Sequence, residues 1–132
     1  MEPNEENNGL PEKKIESLNQ DGFLEIKISS KAFLRDEAKE FQLIVNEAMQ
    51  RDVSRFLINF NDCQYVSSEG LGCIAEFWRK CSEKENITMV SVFSDKPVNE
   101  LLDFFKIIGL ARVMKEHIFT DYNKAREFLL QK

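Results

Sequence analysis

Residues 56–72 read FLINFNDCQYVSSEGLG, an apolar run followed by two serines, a glutamate and two glycines. The run at 56–60 is apolar nearly throughout, which is typical of a β-strand that is covered on both faces. From about residue 68 to residue 83, apolar side chains recur at helical spacing and predict an amphipathic helix. These side chains are Leu71, Ile74, Ala75 and Trp78. A buried strand that passes directly into a helix is typical of α/β folds.

Two strands and a helix are predicted before this stretch. Residues 13–18 and 23–29 have the pattern of strands, and in the second Leu24, Ile26 and Ile28 alternate with charged residues, as in a half-buried strand. The polar residues 19–22 between them predict a hairpin turn. A helix from about Asp36 is indicated by apolar residues at spacings of three and four, which are Ala38, Phe41, Val45 and Ala48.

Two further strands and two further helices are predicted after it. Residues 87–93 form another apolar run, and Asp95 is placed to cap a helix that has Pro97 in its first turn and Gly109 after its end. The expected core face of that helix carries Val98, Leu101, Leu102, Phe105 and Ile108. A short strand at 114–119 then precedes a final helix from Asp121. Its inward residues are Tyr122, Ala125 and Leu129.

This order predicts the fold class α/β, with a mixed, mostly parallel sheet, an N-terminal β-hairpin and about four helices. The length of 132 residues suits one ordinary domain. Residues 13–132 are assigned to that domain. Residues 1–12 are polar and acidic and contain two prolines and a glycine, so they are predicted to be a disordered tail.

Composition argues against several classes of function. The formal net charge is −5 and the basic residues are scattered, so a nucleic-acid partner is not expected. No apolar stretch approaches the roughly 20 residues that span a bilayer, and the N-terminus lacks an apolar signal region, so we expect a cytoplasmic protein without a membrane partner. Cys63, Cys73 and Cys81 lack the spacing of a metal site and are interpreted as free thiols, the last two of them buried, and no metal or cofactor is expected.

Ser67 and Ser68 follow a strand and begin a helix. In α/β sheets, partners and ligands gather at the carboxyl ends of strands, where helix N-termini point outward. One serine is expected to cap the helix, which stabilises it by about 1 kcal/mol, and Gly70 and Gly72 are expected to let the helix start pack closely against neighbouring strands. We assign the cap to Ser67, which leaves Ser68 accessible.

Residues 59–72, NFNDCQYVSSEGLG, resemble the signature of STAS domains of the bacterial anti-sigma factor antagonist family, and the order of elements is similar over roughly residues 13–130. In that family a motif of the form Asp-Ser-Ser/Thr-Gly-Leu-Gly follows a strand, and its first serine is phosphorylated. The resemblance implies that Ser68 is the phosphoacceptor, with Ser67 as the alternative, and that Gly70, Leu71 and Gly72 are the residues after it. Ser67, Glu69 and Asn59 depart from the residues that are usual at their positions.

The same resemblance implies a regulatory protein without enzymatic activity or cofactor. Its partners would be a serine kinase that is also an anti-sigma factor and a PP2C-type phosphatase, and phosphorylation would switch binding off. The expected partner-binding residues are Ser67, Ser68, Glu69, Gly70, Leu71, Phe104 and Ile107. Phe104 and Ile107, with Leu110, are apolar residues left over from the core face of their helix, and they fit either a wide core or a contact patch.

The sequence also bears on three other functions. A static STAS module, acting as a scaffold or transport-complex subunit without phosphorylation, remains the alternative. An enzyme is disfavoured because catalysis of this kind needs a nucleophile near a base, whereas the sequence has a single histidine, His117, in a predicted strand, and no phosphate-binding glycine-rich loop. A receiver domain is excluded because the first strands are not followed by the paired acids that hold Mg²⁺.

Overall fold

The computed structural model describes residues 14–96 and 99–131. Its seven strands among these residues are β1 (Ile15–Gln20), β2 (Phe23–Ile28), β3 (Ala32–Phe33), β4 (Arg55–Asn59), β5 (Tyr65–Val66), β6 (Thr88–Val92) and β7 (Ile118–Phe119). The helices are α1 (Arg35–Gln50), α2 (Ser68–Ser82), α3 (Glu100–Ile107), α4 (Leu110–Met114) and α5 (Tyr122–Leu130), with a 3₁₀ turn at Lys115–His117. The predicted tail, residues 1–12, lies outside the described residues.

Five of the strands form one sheet in the order β1-β2-β4-β6-β7. The β1–β2 pair is antiparallel and the other three pairs are parallel. A second, two-stranded sheet is formed by β3 and β5, which are also parallel. The predicted α/β class with a mostly parallel sheet and an N-terminal hairpin is therefore confirmed.

The hairpin turn is tighter than the sequence predicts. Gln20 lies opposite Phe23, so only Asp21 and Gly22 connect the strands. Gly22 has φ +92°, and a Cβ added to it would lie 2.8 Å from Cδ2 of Leu130 in α5. Glycine is required here by the left-handed backbone, and the short distance to Leu130 shows that the end of the C-terminal helix lies close to the turn.

Two cores lie on opposite faces of the sheet because side chains of a strand alternate between faces. On the first face, Ile26, Ile58 and Met89 pack with Phe41 of α1 and Phe77 of α2. The second face is covered by α5, and its buried residues are Phe23, Leu57, Val90, Val92, Ala125 and Leu129. All four inward positions predicted for the first helix are buried, so that helix is confirmed.

The buried line of α2 is rotated from the predicted one. It consists of Gly70, Cys73, Ile74, Phe77 and Cys81. The predicted stripe shares only Ile74 with it, and the other three predicted residues, Leu71, Ala75 and Trp78, are half-buried at its edge. The rings of Phe41 and Phe56 contact Phe77 at centroid distances of 5.5 and 5.1 Å, so this aromatic residue sets which side of α2 faces inward.

The start of the third predicted helix is wrong. Asn99, and not Asp95, caps α3, because its side-chain oxygen accepts a hydrogen bond from Leu102 N at 3.0 Å. Pro97 and Val98 lie outside the described residues. Gly109, with φ +85°, follows the helix end as predicted. Ile108 was expected in the core, but the helix ends beside it and leaves 41% of it exposed.

The predicted strand at 114–119 is also mostly wrong. Only Ile118 and Phe119 pair with β6, and the chain before them forms α4 and the 3₁₀ turn. Five helices are therefore present among the described residues, where about four were expected. Met114 is fully buried at the end of α4, so its apolar character reflects helix packing and not a strand.

Candidate functional site

The pairing of β3 with β5 directs the chain into α2. Val66 lies opposite Phe33 in this small parallel sheet. The backbone N–H of Ser67 then donates to the carbonyl oxygen of Phe33 at 3.1 Å, continuing the ladder by one bond. Because the chain is held up to residue 67, the first turn of α2 begins at a defined position.

Ser67 caps α2, as the sequence analysis expects. Its backbone is extended, with φ −78° and ψ 172°, and its Oγ accepts a hydrogen bond from Gly70 N at 3.1 Å. This bond satisfies one of the free N–H groups of the first turn. Ser67 is half-buried and has a structural role.

Ser68 is the first residue of α2 and is exposed. Its hydroxyl makes no hydrogen bond within the described part of the chain. Glu69, next in the first turn, is exposed as well. The two serines thus differ in environment: one is committed to the helix cap, and the other presents a free hydroxyl at the positive end of a 15-residue helix.

Gly70 and Gly72 also differ. A Cβ added to Gly70 would lie 2.6 Å from the carbonyl oxygen of Phe33 and 3.2 Å from Cγ1 of Val66, so glycine permits the close approach of α2 to the β3–β5 pair. A Cβ added to Gly72 would meet nothing within 4 Å. The expectation of close packing is confirmed for Gly70 and wrong for Gly72. Leu71, between them, is half-buried against the core.

Two of the three leftover apolar residues lie on α3 and are exposed, and the third, Leu110, begins α4. Phe104 is 37% exposed and Ile107 is 81% exposed, whereas Leu110 is half-buried and packs against the core. The interpretation that Phe104 and Ile107 belong to a wide core is therefore wrong. Helix α3 contacts β5, so these side chains lie on an element that packs beside the strand leading to the serines.

An open cleft of about 600 Å³ lies where the chain leaves β2, β4 and β6, and the sequence analysis did not predict it. Its charged lining residues among those described are Lys31, Asp62, Lys96 and Glu100. Two cations and two carboxylates give no net preference for an anionic or a cationic ligand.

The three cysteines are free and buried. Burial raises the pKa of Cys63 and of Cys73 to about 11, and that of Cys81 to about 12. Thiols with such pKa values stay protonated near neutral pH and are poor nucleophiles. Within residues 14–96 and 99–131, no group of three or more His, Cys, Asp or Glu side chains is arranged to hold a metal ion.

Glu25 is buried. The alternating pattern of its strand predicts a half-buried strand, in which this charged side chain would face solvent. Only 4% of it is exposed, on the face of the sheet that α5 covers. Its Oε1 accepts hydrogen bonds from Gln20 Nε2 at 3.1 Å and from the Tyr122 hydroxyl at 2.7 Å. Its Oε2 accepts one from Asn59 Nδ2 at 2.9 Å. No short-range signal in the sequence indicates this cluster, because Tyr122 is 97 residues away.

The sequence matches no protein-family model and no curated protein. Across the described residues, every helix is too short or too polar to cross a membrane.

Proposed function

We propose that this protein is a partner-switching regulator of the anti-sigma factor antagonist type, and that Ser68 is its phosphoacceptor. The observation that carries the proposal is that the two serines have different structural roles. Ser67 caps α2 through Gly70 N, and the adjacent Ser68 hydroxyl is exposed and uncommitted. A kinase can therefore modify Ser68 without breaking the cap.

Phosphorylation at this position is compatible with the fold. A phosphoserine carries about −1.5 to −2 charges. At a helix N-terminus, the dipole and the free N–H groups favour negative charge by up to about 2 kcal/mol. The modification is expected to act on an interface and to leave the domain folded.

The proposed interface combines the start of α2 with the exposed side of α3. Ser67, Ser68, Glu69, Gly70 and Leu71 form the first part, and Phe104 and Ile107 supply apolar contact area. A phosphate set against an acidic or apolar partner surface costs several kcal/mol. A loss of about 3 kcal/mol is more than a hundredfold in affinity, which releases a micromolar partner.

In this proposal the partner is a serine kinase that is also an anti-sigma factor, and a PP2C-type phosphatase reverses the modification. The protein itself is not an enzyme, needs no cofactor and acts in the cytoplasm. Glu69 places a carboxylate beside the acceptor, so the kinase is expected to tolerate an acidic residue directly after the serine.

The experiment is phosphorylation with ATP by each purified candidate kinase of the source organism, followed by mass mapping of the modified residue. We expect one phosphate on Ser68 of the wild-type protein and none on the Ser68→Ala variant. The Ser68→Asp variant should bind the kinase more weakly than the wild-type protein does. Modification of Ser67 would move the acceptor by one residue. Unmodified protein that still binds its partner would favour the static module.

Melting of Ser68→Asp is the matched control. A change at an exposed first-turn position is expected to alter stability by less than about 1 kcal/mol, so the melting temperature should stay within a few degrees of wild type. If this variant unfolds, its loss of binding says nothing about a switch, and the serine is structural.

A further inference from the structure

The hydrogen bonds of the buried Glu25 connect two distant parts of the molecule. Tyr122, which donates to Oε1 at 2.7 Å, is the first residue of α5. Asn59, which donates to Oε2 at 2.9 Å, is the last residue of β4. One carboxylate therefore ties the C-terminal helix to the strand from which the chain departs toward the serines.

Asn59 is held in one orientation by its two neighbours. Its Nδ2 faces the Glu25 carboxylate, and its Oδ1 accepts the backbone N–H of Asn61 at 2.9 Å. A rotated amide would place its NH₂ group against the N–H of Asn61, so that backbone donor would lose its acceptor. Glu25 thus selects the amide orientation that can receive the backbone of Asn61.

The segment that Asn59 holds, residues 60–64, leads directly into β5. Cys63 N donates to the carbonyl oxygen of Phe60 at 3.0 Å and closes a turn. The Cys63 thiol lies 3.4 Å from the carbonyl oxygen of Tyr65 and is buried. We call residues 60–64 the switch loop, since it joins β4 to the strand that precedes Ser67 and Ser68.

We propose that Glu25 is a positioning residue that couples α5 to the switch loop, through Tyr122 on one side and Asn59 on the other. Its effect on Ser68 rests on the function proposed above, whereas the coupling of α5 to the loop does not. Burial, and then the hydrogen bond to Glu25, raise the pKa of Tyr122 to about 12. The phenol therefore remains a donor throughout the neutral range.

Cys63 supplies a reporter inside the switch loop. We would treat the folded protein with N-ethylmaleimide and map each cysteine by mass spectrometry over time. In Tyr122→Phe, modification of Cys63 should accelerate by roughly tenfold or more, because the loss of one hydrogen bond to a charged group corresponds to at least that factor. Cys73 and Cys81, which lie in α2, should stay as slow as in wild type.

The chain offers a matched control, because its second tyrosine, Tyr65, is close to Cys63 in sequence but donates no hydrogen bond to Glu25. Tyr65→Phe also removes one phenol hydroxyl, and it should leave the rate of Cys63 modification unchanged. If Tyr122→Phe accelerates all three cysteines together, it has only lowered global stability, and the proposal is wrong. An unchanged Cys63 rate would overturn it equally.

A double-mutant cycle tests whether the connection passes through Asn59. Asn59→Ala should accelerate Cys63 more than Tyr122→Phe does, because Asn59 contacts the loop directly. Adding Tyr122→Phe to Asn59→Ala should then have little further effect, since the path is already broken. Independent, multiplicative effects would mean that Tyr122 does not act through Asn59.

Phosphorylation separates this inference from the proposed function. If a kinase modifies wild-type Ser68, Tyr122→Phe and Asn59→Ala should each slow that modification severalfold. If Ser68 is phosphorylated at the wild-type rate in both variants, the inference that the switch loop affects Ser68 is wrong. If wild-type Ser68 is never modified, the proposed function fails, and the thiol rates alone decide the coupling of α5 to the loop.

Discussion

The two faces of the sheet are held together by different interactions. Under α1 and α2 the interior is mainly apolar and largely aromatic, with rings of Phe33, Phe41 and Phe77 meeting edge to face, although Ser91 is also buried on this side of the sheet. Under α5, apolar side chains share the interior with the carboxylate of Glu25, which accepts hydrogen bonds from the half-buried Tyr122 and Asn59 and from the exposed Gln20. The first face therefore depends mainly on shape, and the second depends also on the direction of hydrogen bonds.

The largest expected effect comes from removing volume on the first face. Phe41 is fully buried and contacts the rings of Phe33 and Phe77 at 5.7 and 5.5 Å. Phe41→Ala should lower the free energy of unfolding by about 3–5 kcal/mol, because it loses apolar burial and leaves a cavity. Urea denaturation measures this loss, and a value below about 1 kcal/mol would mean that this core is loosely packed.

Adding a methyl group at the start of α2 tests whether the same face of the sheet is too tightly packed to accept extra volume. Gly70→Ala places a methyl group 2.6 Å from a backbone oxygen, so we expect a loss of about 1–3 kcal/mol. Gly72→Ala is the matched control. It meets no neighbouring atom, and alanine favours a helix over glycine by roughly 0.5–1 kcal/mol, so it should stabilise the protein. Equal effects at both positions would contradict the close approach of α2 to Phe33.

A change of polarity without a change of shape tests the second face. Glu25→Gln replaces one acceptor oxygen by an NH₂ group, which leaves one of the donors around residue 25 without an acceptor. We expect a loss of about 1–3 kcal/mol in urea denaturation. Gln20→Ala is a useful control, because Gln20 is exposed and should cost less. A neutral Glu25→Gln variant would show that shape alone holds this face as well.

Much of the fold could be predicted from local pattern. The helix period at Ala38, Phe41 and Val45 placed α1, and the left-handed glycine at 109 marked the end of α3. The β1–β2 hairpin and the parallel order followed from alternation and from the sequence of elements. These features depend on residues a few positions apart, which a sequence displays directly.

The errors occurred where two patterns compete. Asp95 and Asn99 are both residue types that cap helices well, and the hydrogen bond from Leu102 N shows that Asn99 is the cap. Met114 lies in an apolar segment that fits a strand or a short helix, and burial of a helix end decided between them.

At the candidate site, the sequence itself determined that a serine caps α2 and that a second serine follows it, because capping is a property of adjacent residues. Only the tertiary structure decided that Gly70 is crowded while Gly72 is free, and that Glu25 is buried. Both depend on elements distant along the chain: β3 for the glycine, and α5, 97 residues away, for the carboxylate. Burial is a property of what packs against a residue, and the residue's own sequence neighbours do not specify it.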